Sequence, residues 1–526
     1  FFVPFKIDKK LKEQDWIYDD GYSIAWGSHT KPITEIEFTI FRLDELRDKD
    51  DKKIVDVNSI SSGVNIGSIQ FDDIKKIQNS LKKNNDDEWL KTDVIRRSTI
   101  LNKVADLIEK DPYELIFYLI NEAGKTIQNA IDEIREGIDF LRYYSEQAKE
   151  IIQEKDLDGP TGEDNKIYYS PKGKFLCISP WNFPVAILIG QISAALACGN
   201  KVIAKPSEHT SILGYLVIKK FHESGVPTSC LELILGDGKY GEALTQVGSL
   251  DGVAFTGSLP TAKKIQSNLI QYQDQIIHLI AETGGINTMI VDSSALLEQV
   301  TDDVVRSAFD STGQRCSALR ILCIQEEIYE DLVEMIKGNM SVQKIGDPNE
   351  FDTDIGPIIS TEATKKLNNY IEECKKEGLD VFQSSEPSEK NYISPTLISI
   401  NKISDISSEQ FGPILHILKY ASNDIDKLIN DINNTGYGLT MGIHSRIESQ
   451  ADHLGKNSKI GNIYINRDIV GAVVGSQPFG GVGLSGSGYK AGGPNYLLQF
   501  LNEKVISKNS VAFGGNTELL NLQEDK

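Results

Sequence analysis

Between residues 173 and 270 the chain alternates short apolar strands with helices, and this alternation constrains the fold more than any other feature. "GKFLCIS", "KVIAKP", "LELILG" and "GVAFTGS" read as strands. The helices between and after them cover an apolar run from Pro184 to Gly199, then 210–224, 239–247 and 260–270. Proline at the start and glycine at the stop suit the first of these helices. Such alternation predicts a parallel, doubly wound α/β sheet. Sheets of that kind bind nucleotides at the carboxyl ends of their strands. A second α/β stretch runs from about 285 to 465, with strand-like "RILCIQ", "ILHILKY" and "GNIYIN". A chain of 526 residues exceeds one ordinary core, so two or three domains are expected. From about 70 to 150 the pattern is helical; apolar residues at 127, 131, 134, 138 and 141 mark one helix face. Upstream, "RLDELRDKDDKK" reads as a solvated linker, and Trp16 and Trp26 suggest partial packing.

The formal charge of −21 disfavours binding to nucleic acid or an anionic membrane surface, because both need basic protein surface. "FPVAILIGQISAALAC" is too short to span a bilayer, so no membrane insertion is expected. Six cysteines make no disulfide framework. Cys177, Cys198, Cys230, Cys323 and Cys374 lie in contexts that read as interior, which suits a reducing, cytoplasmic compartment. The seven histidines form no ligand cluster by spacing, and no metal is expected. The start "FFVPFKIDKK" has neither a signal-peptide pattern nor an initiator Met, and reads as a fragment or a processed product.

Several short motifs admit a functional and an ordinary reading. "GLSGSGYKA" misses a phosphate loop, since Tyr489 stands where lysine is needed. Asn182 in "SPWNFP" is a helix cap or a donor aimed at an oxyanion. Lys205 and Glu208 in "AKPSE" are a surface pair, or hold a ribose at a strand's carboxyl end. Gly257 and Ser258 in "FTGSLPTA" are a simple turn, or let backbone approach a pyrophosphate. Glu282 in "AETGGIN" is a loop acid or a general base. Glu409 in "EQFGPI" reads alone as a turn residue. "GQRCSAL" is the strongest local signal: a nucleophilic thiolate needs exposure and electropositive surroundings, and a turn beside Arg315 offers both. A lone cysteine is otherwise structural.

Taken in order, "SPWNFP", "AKPSE", "FTGS", "ETGG", "GQRC", "EQFGP" and "QPFGG" resemble the NAD(P)-dependent aldehyde dehydrogenase superfamily over roughly residues 60–505. Within it, "NEAGKTIQNAIDEIREGIDFLRYYS", "IAETGGINTMIVDSSALLEQV", "SAFDSTGQRCSALRILC" and "NRDIVGAVVGSQPFGGVGLSGSGYKAGGP" are similar to the Δ1-pyrroline-5-carboxylate (glutamate-γ-semialdehyde) dehydrogenases. That group includes the C-terminal domain of bacterial bifunctional proline-utilisation proteins.

The resemblance implies an α/β fold with a Rossmann-type NAD-binding domain, an α/β catalytic domain and a small oligomerisation hairpin. The boundaries it implies are an extension at 1–54, the NAD-binding domain at 55–150 and 171–283, the catalytic domain at 284–488, and the hairpin at 151–170 and 495–510. It makes Cys316 the nucleophile and Glu282 the base that deacylates it, with Asn182 and the Cys316 N–H as the oxyanion hole. Lys205 and Glu208 would hold the adenosine ribose of NAD, Gly257 and Ser258 would lie near the pyrophosphate, and Glu409 would hold the nicotinamide ribose with Phe411 beside the ring. Phe183 and Phe479 would wall the aldehyde channel. Ser317, Gly471 and Ala472 would bind the substrate's α-carboxylate, and Glu136 matches a helix glutamate near the site or lies on a solvated face.

The implied reaction is oxidation of L-glutamate γ-semialdehyde to L-glutamate in proline catabolism. The implied assembly is a homodimer or an assembly of dimers, with a proline dehydrogenase as partner or fused domain. Residues 1–50 do not resemble a proline dehydrogenase barrel, so proline oxidation is not expected of this stretch. The family's second glycine after "FTGS" is Ala262 here, which the closer group tolerates. The alternatives are a dehydrogenase for another acidic semialdehyde, or a catalytically dead relative that binds.

Overall fold

The computed structural model describes residues 16–17, 23–24, 54–73, 88–385 and 391–513. The chain divides into two units, Phe1–Asp51 and Lys52–Lys526. In the first, Trp16–Ile17 pairs antiparallel with Ser23–Ile24. The expected linker at 42–53 and the packing expected of Trp16 and Trp26 lie outside what is described.

The second unit contains the sheet that the alternation predicts. Its strands are β1 (Lys174–Ile178), β2 (Lys201–Lys205), β3 (Leu231–Leu233), β4 (Gly252–Gly257) and β5 (His278–Thr283). They run parallel in the order β5-β4-β1-β2-β3. The chain steps outward from β1 to β3, then returns to the other side of β1. This reversal opens a crevice at the carboxyl ends of β1 and β4. "SPWNFP", "KPSE" and "TGS" leave their strands at that same end of the sheet.

Among the described residues a short helical turn, Glu88–Lys91, and three longer helices precede the sheet: α1 (Val94–Lys110), α2 (Tyr113–Asn121) and α3 (Ile127–Ile151). Thr126 caps α3 by accepting the Asn129 N–H. The buried face of α3 is wider than the predicted stripe and includes Ala130, Glu133, Gly137, Phe140, Tyr144 and Ala148. It packs on α4 (Ala186–Ala197), which is buried almost all round. A Cβ at Gly137 would lie 3.1 Å from Ile189 Cδ1, so glycine there lets the two helices close together. The helix α4 begins two residues after Pro184, because Phe183–Val185 form a turn; its stop at Gly199, with φ +88°, is as expected. After β2 come α5 (Ser211–Glu223), α6 (Gly238–Thr245) and α7 (Leu259–Tyr272). A hairpin, Ile54–Asn58 with Asn65–Gln70, has no counterpart in the sequence reading.

The second sheet has strands β6 (Asn287–Val291), β7 (Leu319–Gln325), β8 (Val381–Gln383), β9 (Thr396–Ile400), β10 (Ile414–Tyr420), β11 (Thr440–His444) and β12 (Asn462–Ile465). Its order is β8-β9-β10-β7-β6-β11-β12, and β8 alone runs antiparallel to its neighbour. The helix α8 (Leu297–Phe309) leads from β6 toward β7. β5 passes into β6 through Gly284–Ile286, so the carboxyl end of the first sheet meets the amino end of the second.

A third, antiparallel sheet joins Lys155–Leu157, Glu163–Pro171 and Leu501–Asn509, in register from Leu501↔Pro171 to Asn509↔Glu163. "KIYYS" and the strand "LNEKVIS" are therefore paired. No helix among the described residues is long and apolar enough to cross a membrane.

Candidate active site

The turn that carries Cys316 follows α8 and enters β7. Ser311, Thr312 and Gly313 have φ of 55°, 58° and 63°, a run of left-handed backbone that side chains ordinarily avoid. Tertiary hydrogen bonds hold it there. Thr312 Oγ1 donates to the Gly356 carbonyl at 3.1 Å, and Gln314 Nε2 donates to the Pro357 carbonyl at 3.1 Å. The Ile359 N–H returns to Gln314 Oε1 at 3.0 Å. A Cβ at Gly313 would stand 2.3 Å from the Gly412 oxygen, so that position requires glycine. At the far side of the turn, Asn287 Nδ2 donates to the carbonyls of Cys316 at 2.6 Å and Ala318 at 2.9 Å. The Ser317 N–H points at the Cys316 sulfur. Cys316 is half-buried, whereas the other five cysteines are buried, as expected.

The electropositive surroundings expected of Cys316 are not found. Arg315 is committed to Asp310 at 2.6 Å. Burial, followed by the charges of Glu409, Glu282 and Glu136, pushes the Cys316 thiol up to about 12. The Ser317 N–H opposes the rise without cancelling it. Cys316 is therefore a protonated thiol among carboxyl groups.

Glu282, on β5, lies against the glycine-dense segment. Its Oε2 accepts the Gly481 N–H at 3.1 Å, and its Oε1 is buried with no hydrogen-bond partner among the described residues. Burial raises its carboxyl to about 8, against the smaller opposing effects of the Gly481 N–H and Lys490. A Cβ at Gly480 would sit 2.9 Å from Oε1, which explains why glycine is needed beside the acid.

Asn182 does not cap α4. Its Nδ2 donates to the Gln314 carbonyl at 3.0 Å, which puts the amide two residues from Cys316 in sequence and against the same turn. Phe183 is stacked under two cations, with Lys125 Nζ 3.9 Å and Arg315 Cζ 5.2 Å from the ring centre. Glu136 is half-buried rather than on a solvated face. Burial, then Glu133, raises its carboxyl to about 7, while Arg315 and Lys125 oppose. Phe479 is half-buried and pairs through backbone with Ala491. Ser317 is buried, whereas Gly471 is exposed with φ +77° and Ala472 is intermediate.

The residues of the crevice suit a dinucleotide. Lys205, at the end of β2, is buried and pairs with the more exposed Glu208 at 3.6 Å; it is no surface pair. Ser258 caps α7, accepting the Thr261 N–H at 3.4 Å. The first turn of α7 carries no acid, so Gly257 and the helix start present donors without a competing negative charge. Glu409 accepts from Arg320 at 3.1 Å and from the Gly285 N–H. A Cβ at Gly284 would fall 1.8 Å from Glu409 Oε2, so the carboxylate rests on bare backbone. Phe411 meets Trp181 edge-on, at 5.6 Å between ring centres.

Three further groups build the site and were not singled out from sequence. Asn287 fixes the carbonyls of Cys316 and Ala318. Arg320, fully buried on β7, bridges the Cys316 turn and the Glu409 segment. Its signal was an arginine inside an otherwise apolar strand. Glu133 accepts the N–H groups of Val185 and Ala186 at 2.8 and 3.3 Å and pairs with Lys125 at 2.9 Å, both side chains being buried. Its signal was an acid within the buried helix stripe. Among the described residues no cluster of His, Cys, Asp or Glu could hold a metal ion.

Comparison with known proteins places these observations. The aldehyde dehydrogenase family matches residues 47–506. The bifunctional protein PutA of Klebsiella aerogenes is 44% identical over 442 residues, covering 82% of this chain but 33% of that protein. The chain thus spans about a third of the length of such relatives. The 1-pyrroline-5-carboxylate dehydrogenase of Oceanobacillus iheyensis is 33% identical over 467 residues, covering 87% of this chain and 90% of its own. A variant of Thermus thermophilus 1-pyrroline-5-carboxylate dehydrogenase superposes with a TM-score of 0.82 at 32% identity, covering 88% and 91% of the two chains.

Proposed function

The chain belongs to the aldehyde dehydrogenase family, and from that membership we propose that it oxidises L-glutamate γ-semialdehyde to L-glutamate with NAD⁺, through a covalent adduct on Cys316. The observation that carries the chemistry is a half-buried cysteine whose thiol feels the charge of Glu282, a buried acid whose Oε1 has no hydrogen-bond partner among the described residues, at the junction of two sheets. The substrate rests on the likeness to proteins named 1-pyrroline-5-carboxylate dehydrogenase and PutA.

Cys316 passes its proton to solvent as its sulfur bonds to the aldehyde carbon. The oxyanion so formed is met by the Cys316 N–H and the second Nδ2 hydrogen of Asn182, the first being used on Gln314. NAD⁺, when bound, supplies the acceptor for the hydride that converts the thiohemiacetal to a thioester. Glu282 then takes a proton from water, and the resulting hydroxide releases the carboxylate. Lys205, Glu208, Gly257, Ser258, Glu409 and Phe411 would hold the cofactor. A carboxylate at position 208 accepts a ribose 2′-hydroxyl and repels a 2′-phosphate, which supports NAD⁺ over NADP⁺.

The substrate's distant carboxylate needs donors once it is buried, and the Ser317 hydroxyl with the Gly471 and Ala472 N–H groups would supply them. Phe183, Phe479 and Glu136 would line the approach. Proline oxidation is the class of reaction that supplies this substrate, so a proline dehydrogenase is the expected partner or fused domain, in a reducing cytoplasm.

The deciding assay measures NADH formation with glutamate semialdehyde, succinate semialdehyde and a short aliphatic aldehyde. The first should give the highest kcat/KM. Ser317→Ala should lower it by roughly tenfold to a hundredfold while sparing the aliphatic aldehyde, the range expected for one hydrogen bond to a charge. Preference for succinate semialdehyde would assign a different acidic substrate; no turnover of any aldehyde would leave a binding relative.

A further inference from the structure

Arg320 has an unusual position for an arginine. It lies on β7, fully buried, and its guanidinium spans two segments. Nη1 donates to the Gly313 carbonyl at 2.9 Å and the Gly412 carbonyl at 3.1 Å. Nη2 donates to the Arg315 carbonyl at 3.0 Å and to Glu409 Oε1 at 3.1 Å. The backbone carbonyl of Arg320 is itself held by His416 Nδ1 at 2.9 Å, and His416 Nε2 by the Tyr370 hydroxyl at 2.8 Å. The arginine is therefore fixed from its own backbone outward.

The contact with Arg315 has a geometric consequence. The Arg315 carbonyl and the Cys316 N–H belong to one peptide unit, and no peptide in the described chain is cis. In a planar trans unit the two bonds point in opposite directions. Drawing the carbonyl onto the guanidinium turns the N–H away from it, toward the open side of the turn. Asn287 does the same one peptide later, where it holds the Cys316 carbonyl and the partner Ser317 N–H meets the sulfur.

The geometry points to Arg320 as a positioning residue: it aims the Cys316 N–H at the oxyanion and, through the same planar fork, holds Glu409 in place. A lysine could supply the charge but not the four-way fork. The role rests on the proposed reading of Cys316 as a nucleophile; it does not depend on which aldehyde is oxidised.

The test uses two probes of Cys316 that need no cofactor. In p-nitrophenyl acetate turnover, the sulfur bonds to the acetyl carbon, the thiol proton passes to solvent, and p-nitrophenolate leaves with the C–O electron pair. Water then cleaves the thioester to acetate and thiol. This route passes through an oxyanion. Alkylation by iodoacetamide displaces iodide at a saturated carbon and forms none.

Arg320→Met should slow ester turnover by ~10²-fold, the cost of one oxyanion donor, while alkylation stays within about threefold of the parent. Arg320→Lys should restore NAD⁺ affinity, read by quenching of protein fluorescence, more than it restores ester turnover. Where Arg320→Met fails to fold, Arg320→Lys and the double variant Arg320→Met/Glu409→Gln, which leaves no unpaired carboxylate, should show the same split between ester and alkylation. Ester turnover within threefold of the parent in a folded variant overturns the assignment. So do parallel losses in both probes, or a parent that turns over no ester at all. A parent that cleaves the ester but oxidises no aldehyde sinks the proposed reaction and leaves the role of Arg320 standing.

Discussion

At the scale of the residue, the site works through groups whose protons are held against their ordinary tendency. Glu282, raised to about 8, is a neutral acid near pH 6 and a carboxylate well above its raised value. A step that needs it as a base must therefore speed up as pH rises through about 8, and Glu282→Gln should remove that limb. Rapid mixing of Glu282→Gln should show an NADH burst with little later turnover; a uniform loss without burst would count against the base. The effect on stability runs the other way. A carboxyl raised by burial resists ionisation in the folded state, so its contribution turns unfavourable as pH climbs from the ordinary carboxyl range through about 8. Cys316 offers a second check. Its thiol is pushed up partly by Glu136, so Glu136→Gln should lower its pKa and speed iodoacetamide alkylation at pH 8.5, where Glu136 is ionised. An unchanged rate would show that Glu136 does not act on the thiol. The motif residues were legible because their order along the chain is distinctive. The protonation of Cys316 was not, since Arg315 beside it in sequence is paired across space with Asp310. Asn287 was likewise invisible, and Arg320 showed only as an arginine in an apolar strand, because their value lies in which carbonyls they reach.

Among the elements, two buried acids tie the early helices to the nucleotide-type sheet. Glu133 on α3 receives the first N–H groups of α4, and Glu122, just past α2, receives those of Ile212 and Leu213 at the start of α5, at 2.9 Å each. Both place a carboxylate where a helix dipole favours negative charge. Glu133→Ala should cost ~3–5 kcal/mol, because Lys125 is then buried without a counter-charge. Urea unfolding measures it, and a loss below about 1 kcal/mol would mean that Lys125 finds water or another acid. The parallel strands of both sheets were readable as short apolar runs between turn signals. The hairpin at Ile54–Asn58 and Asn65–Gln70 was not, because its strands are short, Asn65–Gln70 breaks the alternation with Gly67 and Ser68, and a charge run precedes them in the sequence. Pro184 misled by two residues: it starts the turn that presents Phe183, and the helix follows.

For the whole molecule, the antiparallel sheet leaves its long strand Leu501–Asn509 at the edge and mostly exposed, while Glu163–Pro171 lies between two neighbours. An edge of this length calls for a partner or for charged side chains that block one. Light scattering at micromolar concentration should report a dimer or a multiple of it, and a variant lacking 154–170 should shift toward monomer; a monomeric parent would reject the assembly. The same connectivity sets an order of events during synthesis. Strand Glu163–Pro171 waits for a partner that emerges more than three hundred residues later, and Glu282 waits for Gly481, 199 residues downstream. Translation proceeds at roughly 5–20 residues per second. For a span of seconds to tens of seconds, the growing chain therefore carries Cys316 and an open sheet edge while Glu282 still lacks its Gly481 contact. Over that span the open strand edge is exposed to pairing with another chain, so folding during synthesis depends on how soon residues 501–509 emerge.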